Sequence, residues 1–350
     1  MRTVKEVLIT FYSEILESYR NENELTRLRN SMTFYEFVEK MFDRFKTTCK
    51  EIEEKELVSI MIGNFTKECT RKRFLNAIYR ITEEYKLILQ MIYQGDLKSA
   101  IEHMEELMCG DKLCSIYLPD MYANYMDGDI KTDVKLYRMR DVEKSCGQPD
   151  NCWHVPFSYR RYATSQRYNM SGHPCLYLAD SKETANKELG DLKESMNRWC
   201  SEFSINKNMK ENNGFLVFDL TIPSKETIET ENSNYTLLGW LLTYPLRLLC
   251  SVKVNEKCNF PDEYIFPQFF FHWKYLMKGY DCGHGFVFSS TKNPLGKNYV
   301  FPAKYIKNTP PTYSDKQIGE NLQKIFEASI PEFYAEGETR KRYSVEIIEL

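Results

Sequence analysis

SQRYNMSGHPCLYLADSKETANKEL, residues 165–189, reads as three elements in succession. A turn-rich loop runs through Gly172 and Pro174, a short apolar strand CLYLA covers 175–179, and a helix follows Ser181 and Thr184, both suitable capping residues. A loop, strand and helix in that order put Tyr177 near the end of the strand and Glu188 on the helix. Arg167, Tyr177 and Glu188 can then meet in one cleft, although they are not clustered in sequence. The spacing alone favours a surface arginine, a half-buried tyrosine and a solvated glutamate.

Outward from this stretch, the 350-residue chain is long enough for two domains, each with a core of ordinary size. Its 47 basic and 50 acidic residues leave a net charge of -3, which gives no global reason to expect nucleic acid or an anionic membrane. The basic tracts TRKR (70–73) and ETRKRY (338–343) have acidic residues nearby and read as solvated faces. Eleven cysteines without a CxxC pair indicate reduced thiols in a cytoplasmic protein. The N-terminus carries Lys5, Glu6 and Glu14 where a secretory signal needs an unbroken apolar run. The apolar segment YTLLGWLLTYPLRLLCSV (235–252) contains Pro245 and Arg247 and reads as a buried helix rather than a membrane span.

From residue 1 to about 110 the apolar residues keep helical spacing, with Val4, Val7, Leu8, Phe11, Ile15 and Leu16 on one stripe and Phe74, Ile78, Ile81, Tyr85 and Ile88 on another. This predicts helices over about 2–19, 32–50, 54–64, 69–94 and 96–108, forming a bundle within residues 1–128. MDGDIKTD (126–133) reads as a polar joint, and short apolar runs then alternate with turns. Strands are expected at 134–140, 175–179, 214–222, 250–254 and 285–290, with helices at 181–203, 234–249, 261–279 and 314–328. ETIETENSN (226–234) reads as an exposed loop. The fold class is therefore α+β, a helical bundle followed by a mixed domain over 129–350.

Chemistry-bearing residues gather in the second part. LYRMR supplies Arg138 and Arg140, CWHVPFSYRR supplies His154 and Arg160, and GFVFSSTKNPLGKNYVFP places Ser289 and Ser290 ahead of Asn298. Taken with QRYNMSGHPCLYL, the Glu188 helix, WLLTYPLRLLCSV and EYIFPQFFFHWKYL, this order resembles the RES domain from about residue 134 to about residue 330. Gln166 stands where that family often has glycine, and Tyr168 where tryptophan or phenylalanine is usual. The resemblance implies a fold like that of ADP-ribosyltransferases and a toxin that degrades NAD by phosphorolysis or hydrolysis of the nicotinamide ribosyl bond. It implies that Glu188, Ser290 and Tyr177 act in catalysis, with Ser290 preferred to Ser289. Arg138, Arg167, Arg160, His154 and Asn298 would bind substrate, NAD serving as substrate rather than cofactor and inorganic phosphate as a co-substrate. An antitoxin or regulatory protein is the implied partner, and a homo-oligomer is compatible with it.

Other chemistries find less support. The pairs Cys152/His154, His173/Cys175 and Cys282/His284 are spaced more tightly than the usual structural zinc patterns, so no metal site is expected. GxGxxG and GxxxxGK[ST] are absent, and no cysteine lies in a recognisable nucleophile motif. Two alternatives to NAD cleavage are an ADP-ribosyltransferase and a non-catalytic module that binds nucleotide or protein.

Overall fold

A computed structural model describes residues 1–19, 24–60, 67–110, 123–125, 134–206, 216–254, 261–277, 284–303 and 322–335. The first part is helical, as its periodicity predicts. Helix α1, Val4–Ser18, opens on a capping box in which Thr3 Oγ1 accepts from Glu6 N at 3.2 Å and the Glu6 carboxylate accepts from Thr3 N at 2.7 Å. Thr33 and Glu36 repeat the device at α3, Phe34–Cys49. Between them lies α2, Glu24–Asn30, which the sequence did not betray because seven residues are too few to establish a period. Helix α4, Glu54–Ile60, is followed by α5, Lys67–Gln94, and α6, Leu97–Cys109, whose Asp96 cap accepts from Ser99 N at 3.1 Å. Residues 61–64 of the expected fourth helix, and the joint 126–133, lie outside the described residues.

The second part is built on one curled sheet. Its strands are β1 (Ala123–Tyr125), β2 (Lys135–Glu143), β3 (Cys175–Ala179), β4 (Met196–Ile205), β5 (Leu216–Leu220), β6 (Gly285–Ser289), β7 (Lys297–Pro302), β8 (Phe326–Ala328) and β9 (Glu332–Phe333). They lie in the order β1-β5-β6-β7-β3-β2-β4-β8, with β9 also pairing β4. Only β5 and β6 run parallel among these pairs. Helix α7 is Lys182–Leu189, α8 is Lys225–Thr230, α9 is Asn234–Ser251 and α10 is Ile265–His272.

Several expectations are corrected here. The helix expected over 181–203 stops at Leu189, because Gly190 takes φ 74° and turns the chain into β4. Strand β4 then pairs with all of β2, from Lys135 opposite Ser204 to Glu143 opposite Met196. Of the strand expected at 250–254, Cys250 and Ser251 end α9, whose apolar run carries no strand-like alternation, and 252–254 follow it without regular structure. Residues 225–230 are helical rather than a loop, since Ser224 Oγ accepts from Thr227 N at 3.1 Å and starts a turn. The final helix expected over 314–328 survives as one turn at 322–325 before β8, and 314–321 lie outside the described residues. The 261–279 segment breaks into a 3₁₀ turn (Asp262–Tyr264), α10 and a π turn (Trp273–Met277), with 278–279 outside the described residues.

The bundle and the sheet share one core. A continuous buried cluster runs from Phe11, Phe37 and Phe45 through Tyr244 and Leu248 of α9 to Phe218, Phe286 and Phe288 on one sheet face. Phe11, Tyr12 and Phe45 all pack around the Tyr244 ring, with centroids 4.6–5.6 Å away. Polar ties follow the same path: Tyr12 Oη donates to Trp240 O at 2.8 Å and Tyr19 Oη to Ser251 O at 2.9 Å. A smaller cluster, including Leu136, Leu176, Leu178, Phe203 and Phe301, covers the other face. No helix among the described residues is long and apolar enough to cross a membrane.

Candidate active site

The loop, strand and helix of residues 165–189 form as the sequence predicts. Ser181 caps α7 by accepting from Thr184 N at 3.1 Å, and the helix carries Glu188 to the edge of a cavity of about 420 Å³. That volume lies within the range of about 300–1,000 Å³ usual for small-molecule sites. Glu188 Oε1 accepts hydrogen bonds from Ser290 Oγ at 2.6 Å and Asn298 Nδ2 at 2.5 Å. Ser290 is fully buried, and its Oγ accepts from the backbone N–H groups of Asn293 at 2.8 Å and Lys292 at 3.2 Å. Those two donors occupy the hydroxyl's lone pairs and direct its proton to the carboxylate. The adjacent Ser289 faces elsewhere, accepting from Ile222 N at 2.8 Å.

Arg138 comes from β2 and Tyr177 from β3, and both line the cavity with Glu188, Arg167 and Asn298. Arg138 donates to Tyr177 O at 3.5 Å, and burial pulls its pKa down to about 10, so it stays charged at neutral pH. The Tyr177 hydroxyl donates to Asn169 Oδ1 at 2.9 Å and accepts from Tyr168 N at 3.2 Å. Burial pushes its pKa well above the ordinary phenol value, so it remains a neutral donor and acceptor. Arg167 also borders the cavity, yet its Nη1 donates to Cys250 O at 3.1 Å and Val252 O at 3.0 Å. Its guanidinium lies 5.3 Å from the Tyr264 ring centroid. These contacts make Arg167 an anchor between the loop and the end of α9.

Two expected substrate-binding residues fall outside the cavity lining. His154 is buried with Nδ1 2.8 Å from Val155 O, and burial lowers its pKa; the neighbouring Val155 is the residue that reaches the wall. Arg160 is exposed on the 3₁₀ turn Phe157–Tyr162, and Tyr162 lines the cavity in its place. Sequence reasoning did not single out Lys292, which lines the cavity and donates from Nζ to Glu188 O at 2.9 Å. Its position two residues after Ser290 was the available signal. Tyr137, Thr164 and Tyr264 complete more of the wall without a motif to mark them.

Among the described residues no group of three or more His, Cys, Asp or Glu side chains is placed to hold a metal. His173 packs edge-on against His272, with ring centroids 5.0 Å apart. Burial pushes the Cys175 thiol to about 12 and Cys200 to about 11, which keeps both protonated and unreactive at neutral pH. Cys282, from one of the Cys/His pairs, lies outside the described residues.

The fold and site thus define an α+β protein with a hydrogen-bonded carboxylate on the wall of a cavity that also holds a buried guanidinium. No family model matches the chain. It is similar to a protein of Bacillus subtilis (strain 168) named "Putative toxin YopC", with 26% identity over 204 residues, covering 53% of this chain and 44% of that protein. Less than half of the relative's length is therefore matched.

Proposed function

We propose that this protein is a toxin or defence effector that cleaves NAD at the bond between nicotinamide and ribose. The observation that carries the reading is the carboxylate of Glu188, held by Ser290 and Asn298 in one cavity with Arg138 and Tyr177. Breaking the nicotinamide ribosyl bond builds positive charge on the sugar, as in glycoside hydrolysis. A fixed carboxylate opposes that charge more strongly in the transition state than in the ground state. The bonding electron pair goes to the pyridinium nitrogen, so nicotinamide leaves neutral and needs no strong general acid. Water or phosphate adds to the anomeric carbon, and water's proton passes to solvent. Arg138 offers a guanidinium to the pyrophosphate oxygens, and Tyr177, its hydroxyl held by Asn169 and Tyr168, offers a ring face to the substrate.

The name of the Bacillus subtilis relative supports a toxin role, and with it an antitoxin as partner and a cytoplasmic site of action, where NAD is available. The experiment is incubation of the purified protein with NAD, with and without inorganic phosphate. ADP-ribose phosphate identifies phosphorolysis, and ADP-ribose formed regardless of phosphate identifies hydrolysis. Intact NAD under both conditions overturns the proposal; if NAD is nevertheless bound, the nucleotide-binding module takes its place.

A further inference from the structure

Glu188 is carried by α7, a helix of only eight residues, and so short a helix is not stable by itself. Ser181, Asn293 and Lys292 tie it at other points, and its C-terminal turn is held by Arg198 on β4, which is 2% exposed. Arg198 Nε and Nη2 donate to Asp141 Oδ1 and Oδ2 of β2 at 2.7 and 2.8 Å, a bidentate pair that fixes the plane of the guanidinium. From that plane Nη1 reaches Asn186 Oδ1 at 2.5 Å and Asn186 O at 3.4 Å, and Nη2 reaches Gly190 O at 2.9 Å. The guanidinium therefore grips the backbone two residues before and two residues after Glu188. Carbonyls at a helix C-terminus lack intrahelical donors, and a cation there also interacts favourably with the negative end of the helix dipole. Arg198 is not among the residues lining the cavity.

We infer that Arg198, oriented by Asp141, is the positioning residue that aims the Glu188 carboxylate at Ser290, Asn298 and the cavity. The kinetic part of this inference rests on the proposed NAD cleavage; the structural part does not. The test compares Arg198→Lys, Asp141→Asn and Asn186→Ala with wild type by hydrogen exchange of residues 182–190 and by NAD kinetics. Amide exchange across α7 is expected to rise about 10-fold or more while β3 and β7 keep their protection, the mark of local rather than global opening. Turnover should fall about 10-fold or more with KM within about 2-fold, since a misplaced catalytic group loses rate rather than binding. Asn186→Ala leaves the Arg198–Asp141 pair intact and decides the question if the other two variants do not fold. Unchanged exchange in α7, unchanged turnover despite a loosened α7, or KM rising in step with the loss of turnover overturns the inference. If wild type leaves NAD intact, the proposed function fails on its own and the exchange measurement alone decides whether Arg198 holds the helix.

Discussion

At the scale of single residues, the two arginines have separate duties that their positions in sequence do not distinguish. Arg138 lines the cavity and donates to Tyr177 O, whereas the Arg167 side chain bonds the carbonyls of Cys250 and Val252 and so ties its loop to the end of α9. Arg138→Ala should therefore raise KM for NAD with little change in melting temperature. Arg167→Ala should instead lower stability by about 1–3 kcal/mol, the scale of withdrawing a donor from buried carbonyls; denaturant unfolding of both variants checks the contrast. His272 makes a pH prediction. Burial first, and then the neighbouring His173, bring its pKa from 6.5 to about 4. The unfolded chain takes up that proton first, so this contribution to stability is present above about pH 6.5 and is lost as pH falls toward 4. His272→Gln should flatten the melting temperature in that window relative to wild type. The sequence order brought Glu188, Ser290, Tyr177 and Asn298 to notice, but a motif gives no side-chain direction. That is why the exposure of Arg160 and the inward place of Tyr162 could not be read from SYRRY.

At the scale of elements, the site depends on how α7 meets the loop from Ser290 to Gly296. Asn293 Nδ2 donates to Thr184 Oγ1 at 2.9 Å, and a Cβ at Gly296 would come within 2.2 Å of that same Oγ1. Gly296→Ala should push the loop from the helix, lowering both melting temperature and NAD turnover; a variant with unchanged values in both would contradict this close packing. Ser290 and Lys292 sit in the loop and Asn298 in the strand after it, so the displacement reaches the carboxylate directly. The sequence reading placed β3 and the start of α7 correctly because Ser181 and CLYLA are strong local signals. It carried α7 too far because KETANKEL and DLKESMN are both good helix formers, and only the positive φ of Gly190 separates them. Strand β7 was missed because KNYVFP pairs through distant partners, β3 and β6, which no local pattern names.

At the scale of the whole molecule, helical periodicity told which faces of α1 and α5 are buried, but not against what. The answer is α9, an almost wholly buried helix that passes the bundle's core on to the sheet. Arg29 of α2 adds a polar link: it pairs with Asp262 and, at 2.7 Å, with the fully buried Glu263, next to the cavity residue Tyr264. Arg29→Met should destabilise the protein by about 3–5 kcal/mol, because the Glu263 carboxylate loses its guanidinium in a buried site. With a shared core, bundle and sheet should unfold in one transition; two separated calorimetric transitions would contradict that. The proposed cleavage of NAD requires Glu188 to oppose positive charge developing on the nicotinamide ribose. Its most direct measurement is the rate of nicotinamide release from NAD by wild-type and Glu188→Gln proteins of equal stability. Removing the charge while keeping the shape should lower kcat by roughly 100-fold or more, the scale of one preorganised electrostatic group, with KM little changed. Equal nicotinamide release by the two proteins would contradict it.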